Sequence, residues 1–410
     1  MLALRVSGVN EQSAQQPGAI QMSGPGPRVG PSAASSAVSS AVSSGAPSGV
    51  DERPAQHVGA AGASAVPKSA AGDERGATVA MGDTGDRGDT GDTGDTVDTV
   101  ELGWLDVGPL DVAATWSAMR RGGGDPTYAT ARVRASAGVT VAIWKAWQTP
   151  DGAVTVRVDQ CRAGAPVRAR AWGPGAGWVA RRLPAMLGVA DDPTGFAPRH
   201  ALLRAAASRF AGLRVPATGL VVEALVPSII EQRVTGAEAF TSYRRLVRRF
   251  GAEAPGPAGA RGLLVAPSVA GWQAIPSWEW LRAGVDPGRS DTIMRALRRA
   301  DALERCVGLP PAAARARLSA VPGVGGWTAA EVAHISLGDA DAVSFGDYHV
   351  AKDVGLALAG VEVDDRGLER LLEPYLGHRY RVQRLVELAG ARRERHGARR
   401  SLPTHLPTRW

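Results

Sequence analysis

The apolar period of this chain changes near residue 195, and that change limits the folds open to it. In "AVTVRVD" (153–159), Val154, Val156 and Val158 alternate with Thr155, Arg157 and Asp159. "ATARVRA", "VTVAIWKAW" and "VRARAW" (167–172) alternate in the same way. Alternation broken by Gly, Pro and Asp describes half-buried strands of a small antiparallel sheet. "DVAATWSAMRR" and "GWVARRLPAMLG" have helical spacing and are expected to lie on one face of it. Beyond about 195 the strand signal stops. "HALLRAAASRFAGL", "LVVEALVPSIIEQRVTGAEAFTSYRRLVRRFG" and the segments after them read as helices. Breaks at Pro255–Pro257, Pro287–Gly288 and Pro310–Pro311 divide this part into about eight short helices. The fold class is therefore α+β: a small antiparallel sheet domain over 102–195, then an all-α array over 196–392.

The remaining residues do not suit a core. Residues 1–101 are dominated by Ala, Gly, Ser, Pro, Asp and Thr, with no aromatic before Trp104. Such a segment cannot bury enough apolar surface to offset its ordering entropy, and it is expected to be a disordered tail. Its glycine triplets from Gly82 to Gly94 are too few and too poor in proline for a collagen helix. The tail carries 12 acidic and 6 basic residues; its −6 within a chain total of +7 leaves +13 on 102–410. A basic body suits a polyanionic partner, although the arginine bias (lysine occurs only at 68, 145 and 352) also fits a GC-rich genome. Two cysteines, Cys161 and Cys306, are too few for a four-cysteine zinc or iron–sulfur site. The first residues lack a signal-peptide core, and no apolar run is long enough to span a membrane. A cytoplasmic, nucleoid-associated monomer is expected, ending in a flexible basic tail at 393–410.

Candidate chemistry concentrates between Ala320 and Gly355. "PGVGG" separates "PAAARARLSAV" from "GWTAAEVAHISLG". Its glycines permit positive φ and close backbone approach, and a helix opening after such a turn offers free N–H groups to a phosphate oxygen. An ordinary tight helix connection has the same pattern. Asp347 precedes "YHVAKDVGLALAG" and reads as a helix cap. A fixed carboxylate there also suits cleavage of an N-glycosidic bond, which passes through an oxocarbenium-like sugar. Asp339 and Asp341 read as solvated loop residues.

"VPGVGGWTA", with Asp347 twenty residues after Trp327, resembles the helix-hairpin-helix DNA glycosylase superfamily. Its alkylpurine branch, the 3-methyladenine DNA glycosylase II proteins, is the nearest likeness. Their hairpin reads like PGIGRWTA, "GDYHVAK" is similar to their DDY-type context, and "ALVPSIIEQRVTGAEAF" looks like their ILGQ-V-S helix. The likeness covers about 105–392. It implies a monofunctional glycosylase that excises alkylated bases from double-stranded DNA, with Asp347 as the catalytic carboxylate. It places Trp327, Glu331 and Tyr348 at the base pocket. It places Gly323, Val324, Gly325, Gly326, Thr328, Gln232, Arg233 and Lys352 at the DNA, with the wedge at Gln232–Arg233. No cofactor is implied beyond a monovalent cation on the hairpin carbonyls. Trp327 stands where bifunctional relatives carry a Schiff-base lysine, so lyase chemistry is not expected.

Two positions depart from the pattern. Gly326 replaces an arginine, and Glu331 stands where an aromatic is common. Glu331 either faces a cationic purine or, more simply, points to solvent. Trp272, Trp278 and Trp280 are expected in the core, His334 and His349 as structural residues, and the Arg244–Arg249 stripe on a solvated or DNA-tracking face. Two alternatives stay open: a helix-hairpin-helix protein that binds DNA without catalysis, and a glycosylase for uracil, hypoxanthine or an oxidised purine.

Overall fold

The computed structural model describes residues 99–105, 108–135 and 138–391. Of the expected tails, 1–101 and 393–410, residues 1–98 and all of 393–410 lie outside them. Five strands make one antiparallel sheet: β1 (Thr99–Leu105), β2 (Tyr128–Ala135), β3 (Gly138–Thr149), β4 (Gly152–Gln160) and β5 (Val167–Trp172). Their order is β1-β5-β4-β3-β2. The sheet starts at Thr99, three residues inside the segment expected as tail.

The alternating valines of β4 face the core, as their period requires. The other face of the strand is covered too, and even Thr155 is buried. The cover comes from residues 252–265, where β6 (Ala252–Glu253) and β7 (Leu264–Val265) flank a 3-10 turn. Ala254, Ala258, Leu263 and Val265 pack there against Trp144 and Ala146. β5 keeps the expected half-buried alternation, so the expectation is corrected for β4, buried on both faces, and for the absence of strands beyond 195, where two-residue strands are too short to show a period.

Fourteen α-helices are described. Two belong to the sheet region, α1 (Val112–Trp116) and α2 (Ala176–Met186). The array then runs α3 (Ala201–Arg209), α4 (Val221–Ile230), α5 (Gly236–Phe250), α6 (Val269–Gln273), α7 (Ser277–Ala283), α8 (Pro287–Leu297) and α9 (Ala300–Glu304). It ends with α10 (Pro311–Ser319), α11 (Gly326–Val332), α12 (Val350–Ala359), α13 (Asp365–Leu372) and α14 (Arg379–Leu388). The long helical stretch around residue 235 is two helices, not one. Arg233 takes φ 57°, and Thr235 opens α5 with a capping box to Glu238.

Packing does not follow the boundary at 195/196. Ile143, Trp147 and Val156 of the sheet share one core with Leu183 of α2, Leu225 and Ile229 of α4, Ile293 of α8 and Val332 of α11. Burying each such side chain contributes about 1.5–3 kcal/mol. A second core joins Leu203 of α3, Val354 of α12, Leu368 of α13 and Leu385 of α14. α11 therefore belongs to one core and α12 to the other, and the chain between them crosses a cleft. α11 extends as a π-helical turn, Ala333–Leu337, before Gly338 ends it at φ 72°. Such turns recur at functional sites.

Candidate active site

The hairpin between α10 and α11 is held from outside. Gly323 takes φ 96°, and a Cβ there would sit 2.3 Å from Thr292 Oγ1. Gly325 and Gly326 face open space without positive φ, so Gly323 alone of these three needs to be glycine for its backbone. Gln232 Nε2 donates to the Gly323 carbonyl at 3.0 Å and to Thr328 Oγ1 at 2.8 Å. Gln232 thus ties the end of α4 to the hairpin instead of standing free as a wedge. Arg233 is the exposed residue at that corner. Val324 and Thr328, expected at the DNA, are buried. The Val324 N–H donates to the Val321 carbonyl at 2.9 Å. The N–H groups of Gly326 and Trp327, in the first turn of α11, lack intrahelical acceptors. Arg295 of α8 reaches over the turn, its Nε 3.1 Å from the Pro322 carbonyl. A guanidinium therefore stands beside the hairpin although Gly326 supplies none.

Asp347 lies in the loop between the two cores, two residues before the cap position of α12. Its Oδ1 accepts from the His349 N–H at 2.7 Å and the Val350 N–H at 3.0 Å. Its Oδ2 accepts from Trp327 Nε1–H at 3.1 Å. The cap position read from sequence is corrected: His349 is the N-cap of α12, and Asp347 holds the N–H groups at its start from two residues outside. The same carboxylate is locked against the indole twenty residues upstream.

Glu331, one turn after Trp327, does not point to solvent. Its side chain is only 16 % exposed, and Ser344 Oγ donates to its Oε1 at 2.6 Å. Gln383 Nε2 donates to Ser344 Oγ at 3.2 Å and to Glu387 Oε1 at 3.1 Å. Arg384 pairs with Glu387 at 2.9 Å. Nearby, Arg121 and Glu231 pair at 2.7 Å. Burial and the negative charge of Glu231 push the Glu331 carboxyl up to about 8. Burial also raises Glu231, with Arg121 opposing the shift. His334 stacks on Tyr380 at 3.9 Å, and burial pushes its imidazole down to about 3, leaving it neutral.

One cleft of about 2140 Å³ gathers Asp347, Trp327, Glu331, Tyr348, Gly323, Gly325, Gly326, Thr328, Gln232 and Arg233. Val324 and Lys352 are not among the residues lining it. Lys352 sits 4.0 Å over the Tyr348 ring. Tyr348 is 68 % exposed and forms the rim instead of a pocket wall. Trp272 and Trp280 stack on each other in the core, as expected, whereas Trp278 is exposed. Sequence reasoning missed Arg121, Glu231, Ser344, Gln383, Arg384, Glu387 and Arg295. Glu231 adjoins Gln232 in the quoted motif and was within reach. Ser344 lies within the 320–355 stretch but carries no motif, and the others come from segments with no spacing relation to the hairpin. Among the described residues no group of three His, Cys, Asp or Glu side chains fits a metal ion.

No family model matches the chain. Over 166 residues it is 32% identical to a probable bifunctional transcriptional activator/DNA repair enzyme AlkA of Mycobacterium tuberculosis, covering 38% of this chain and 30% of that protein. The chain therefore spans less than a third of the length of the curated relatives it matches. The 3-methyladenine DNA-glycosylase from Archaeoglobus fulgidus superposes with a TM-score of 0.53 at 17% identity, covering 71% of this chain and 98% of that one. An 8-oxoguanine glycosylase/lyase of Clostridium acetobutylicum gives 0.50 at 13% identity, over 72% and 98% of the two chains. With its sheet, helical array, hairpin and loop aspartate, the chain has the fold of the helix-hairpin-helix DNA glycosylase superfamily and resembles that superfamily's 3-methyladenine branch.

Proposed function

We propose that the chain is a monofunctional DNA glycosylase that hydrolyses the N-glycosidic bond of alkylated bases in duplex DNA. The observation that carries this reading is Asp347, a carboxylate held by three N–H donors against Trp327 in a cleft with no lysine lining it. Of the two lysines in the described region, Lys145 is buried away from the cleft and the Lys352 amine rests on Tyr348 at its rim. With no lysine among the described residues that line the cleft, hydrolysis without a Schiff base is favoured, leaving an intact abasic strand.

The chemistry follows from charge. A damaged nucleotide rotates out of the stack into the cleft, with the exposed Arg233 at the turn beside the gap. The bond between C1′ and the base nitrogen breaks, and its electron pair leaves with the base. Positive charge builds on the sugar, where the fixed Asp347 carboxylate opposes it without reorganising. Water adds at C1′ and loses a proton. The open N–H groups of Gly326 and Trp327, with Arg295 beside them, would hold a phosphate independently of base sequence. The Pro322 and Gly323 carbonyls already accept from Arg295 and Gln232, and the Arg295 charge opposes a monovalent cation there.

The test is incubation with duplexes that each contain one defined lesion, including 3-methyladenine and 7-methylguanine. Release of an alkylated base, with strand breakage only after alkali, is the expected result. Breakage without alkali would contradict monofunctional hydrolysis. Release of none of the bases would contradict the activity itself.

A further inference from the structure

The acids around the base niche are not equally matched by cations. From α4 comes Glu231, bound to Arg121, which follows α1. From α14 come Glu387 and Arg384, bound to each other, and the hydroxyl of Tyr380. From the loop comes Asp347, held by N–H groups. From the extension of α11 comes His334, whose Nε2 lies 3.6 Å from Glu331. Glu331 itself is held by the Ser344 hydroxyl, which brings no charge. Both nearby guanidiniums pair with other carboxylates, and Arg121 reaches Glu331 only through its charge, which opposes the upward shift without reversing it.

Resting on the glycosylase reading, we propose that Glu331 is the specificity-determining residue of the base niche, recruiting cationic N-alkylated purines and disfavouring uncharged lesions of the same shape. A mostly buried carboxyl without an arginine of its own can be neutralised in two ways, by a proton or by a cationic guest. In the empty cleft the proton serves, which matches its upward shift to about 8. A 7-alkylated guanine brings a positive ring, and at the short range and reduced dielectric of the niche its attraction to a carboxylate is large. Binding such a base therefore releases the proton of Glu331. An uncharged base offers no replacement and leaves the proton in place. The sign follows: preference for the cationic base grows as pH rises towards and past about 8, where the free carboxyl ionises, and shrinks at lower pH.

The experiment measures binding, so it does not depend on catalysis. Dissociation constants are compared for two duplexes that resist cleavage. One carries 2′-fluorinated 1,7-dimethylguanine, whose positive charge is fixed because it has no N1 proton to lose, and the other its neutral isostere 7-deaza-1,7-dimethylguanine. At pH 8.5 the wild type is expected to prefer the cationic duplex by about tenfold or more, with the preference contracting at pH 6.5. Glu331→Gln, which retains an acceptor for Ser344, is expected to abolish both the preference and its pH dependence. Equal affinity of the wild type for both duplexes at pH 8.5, or an unchanged preference in Glu331→Gln, overturns the proposal. Because the wild-type pH dependence is itself a readout, the outcome does not hang on the variant's folding. Loss of base release with this preference intact would contradict the enzymatic reading and leave the assignment of Glu331 standing.

Discussion

Gly323 and Gly326 are three positions apart in one turn, yet the structure asks opposite things of them. Gly323 has positive φ and no room for a Cβ beside Thr292, whereas Gly326 faces open space. Gly323→Ala is expected to cost about 1–3 kcal/mol, read as a lower Tm, and to weaken DNA binding. Gly326→Ala should leave Tm nearly unchanged. Equal losses at both sites would contradict this account of the hairpin. Such differences were beyond the sequence, in which all the glycines of "PGVGG" look alike. Trp327 and Asp347 were legible because their separation is local to one helix and one loop. Glu331 was legible as a position but not as a buried group. Its surroundings come from Ser344 in the same stretch and, behind it, from Gln383 and the Arg121–Glu231 pair of distant segments.

At the scale of elements, α8 emerges as part of the hairpin's support. Arg295 donates to the Pro322 carbonyl and to Thr292 Oγ1, the group that confines Gly323. Sequence reading saw α8 only as one of the helical segments after 195 and noted Gly326 in place of an arginine. The structure has a guanidinium at that place from another helix. Arg295→Ala is expected to weaken binding to all duplexes alike and to lower the slope of log affinity against log salt by about one. A sequence-dependent loss, or an unchanged slope, would argue that Arg295 only braces the turn. The larger helices and the four strands from 128 to 172 were readable from period alone. The short β6–β7 ladder and the break at Arg233 were not, because neither extends over enough residues to repeat.

For the whole molecule, sheet and helices share one core, so stability and site geometry are coupled through α4. Glu223 of α4 accepts from the Gln148 N–H of β3 at 3.1 Å, and burial pushes its carboxyl up to about 7, against the pull of Lys145. A raised carboxyl favours the protonated fold. Its cost to stability is absent below the ordinary carboxylate range, grows as pH rises and is complete above about 7. Glu223→Gln should therefore gain Tm relative to the wild type between pH 5 and pH 8; an equal difference at both would refute it. The α+β class was legible from the change of period, but the shared core was not, since no local pattern shows which faces meet. The cleft that results lies between the two cores and takes Asp347 from the loop that joins them. The most direct measurement of the central claim is single-turnover base release from a duplex with one alkylated purine, comparing the wild type with Asp347→Asn. The account predicts a fall of about 100-fold or more with duplex binding retained, and release by Asp347→Asn at the wild-type rate would contradict it.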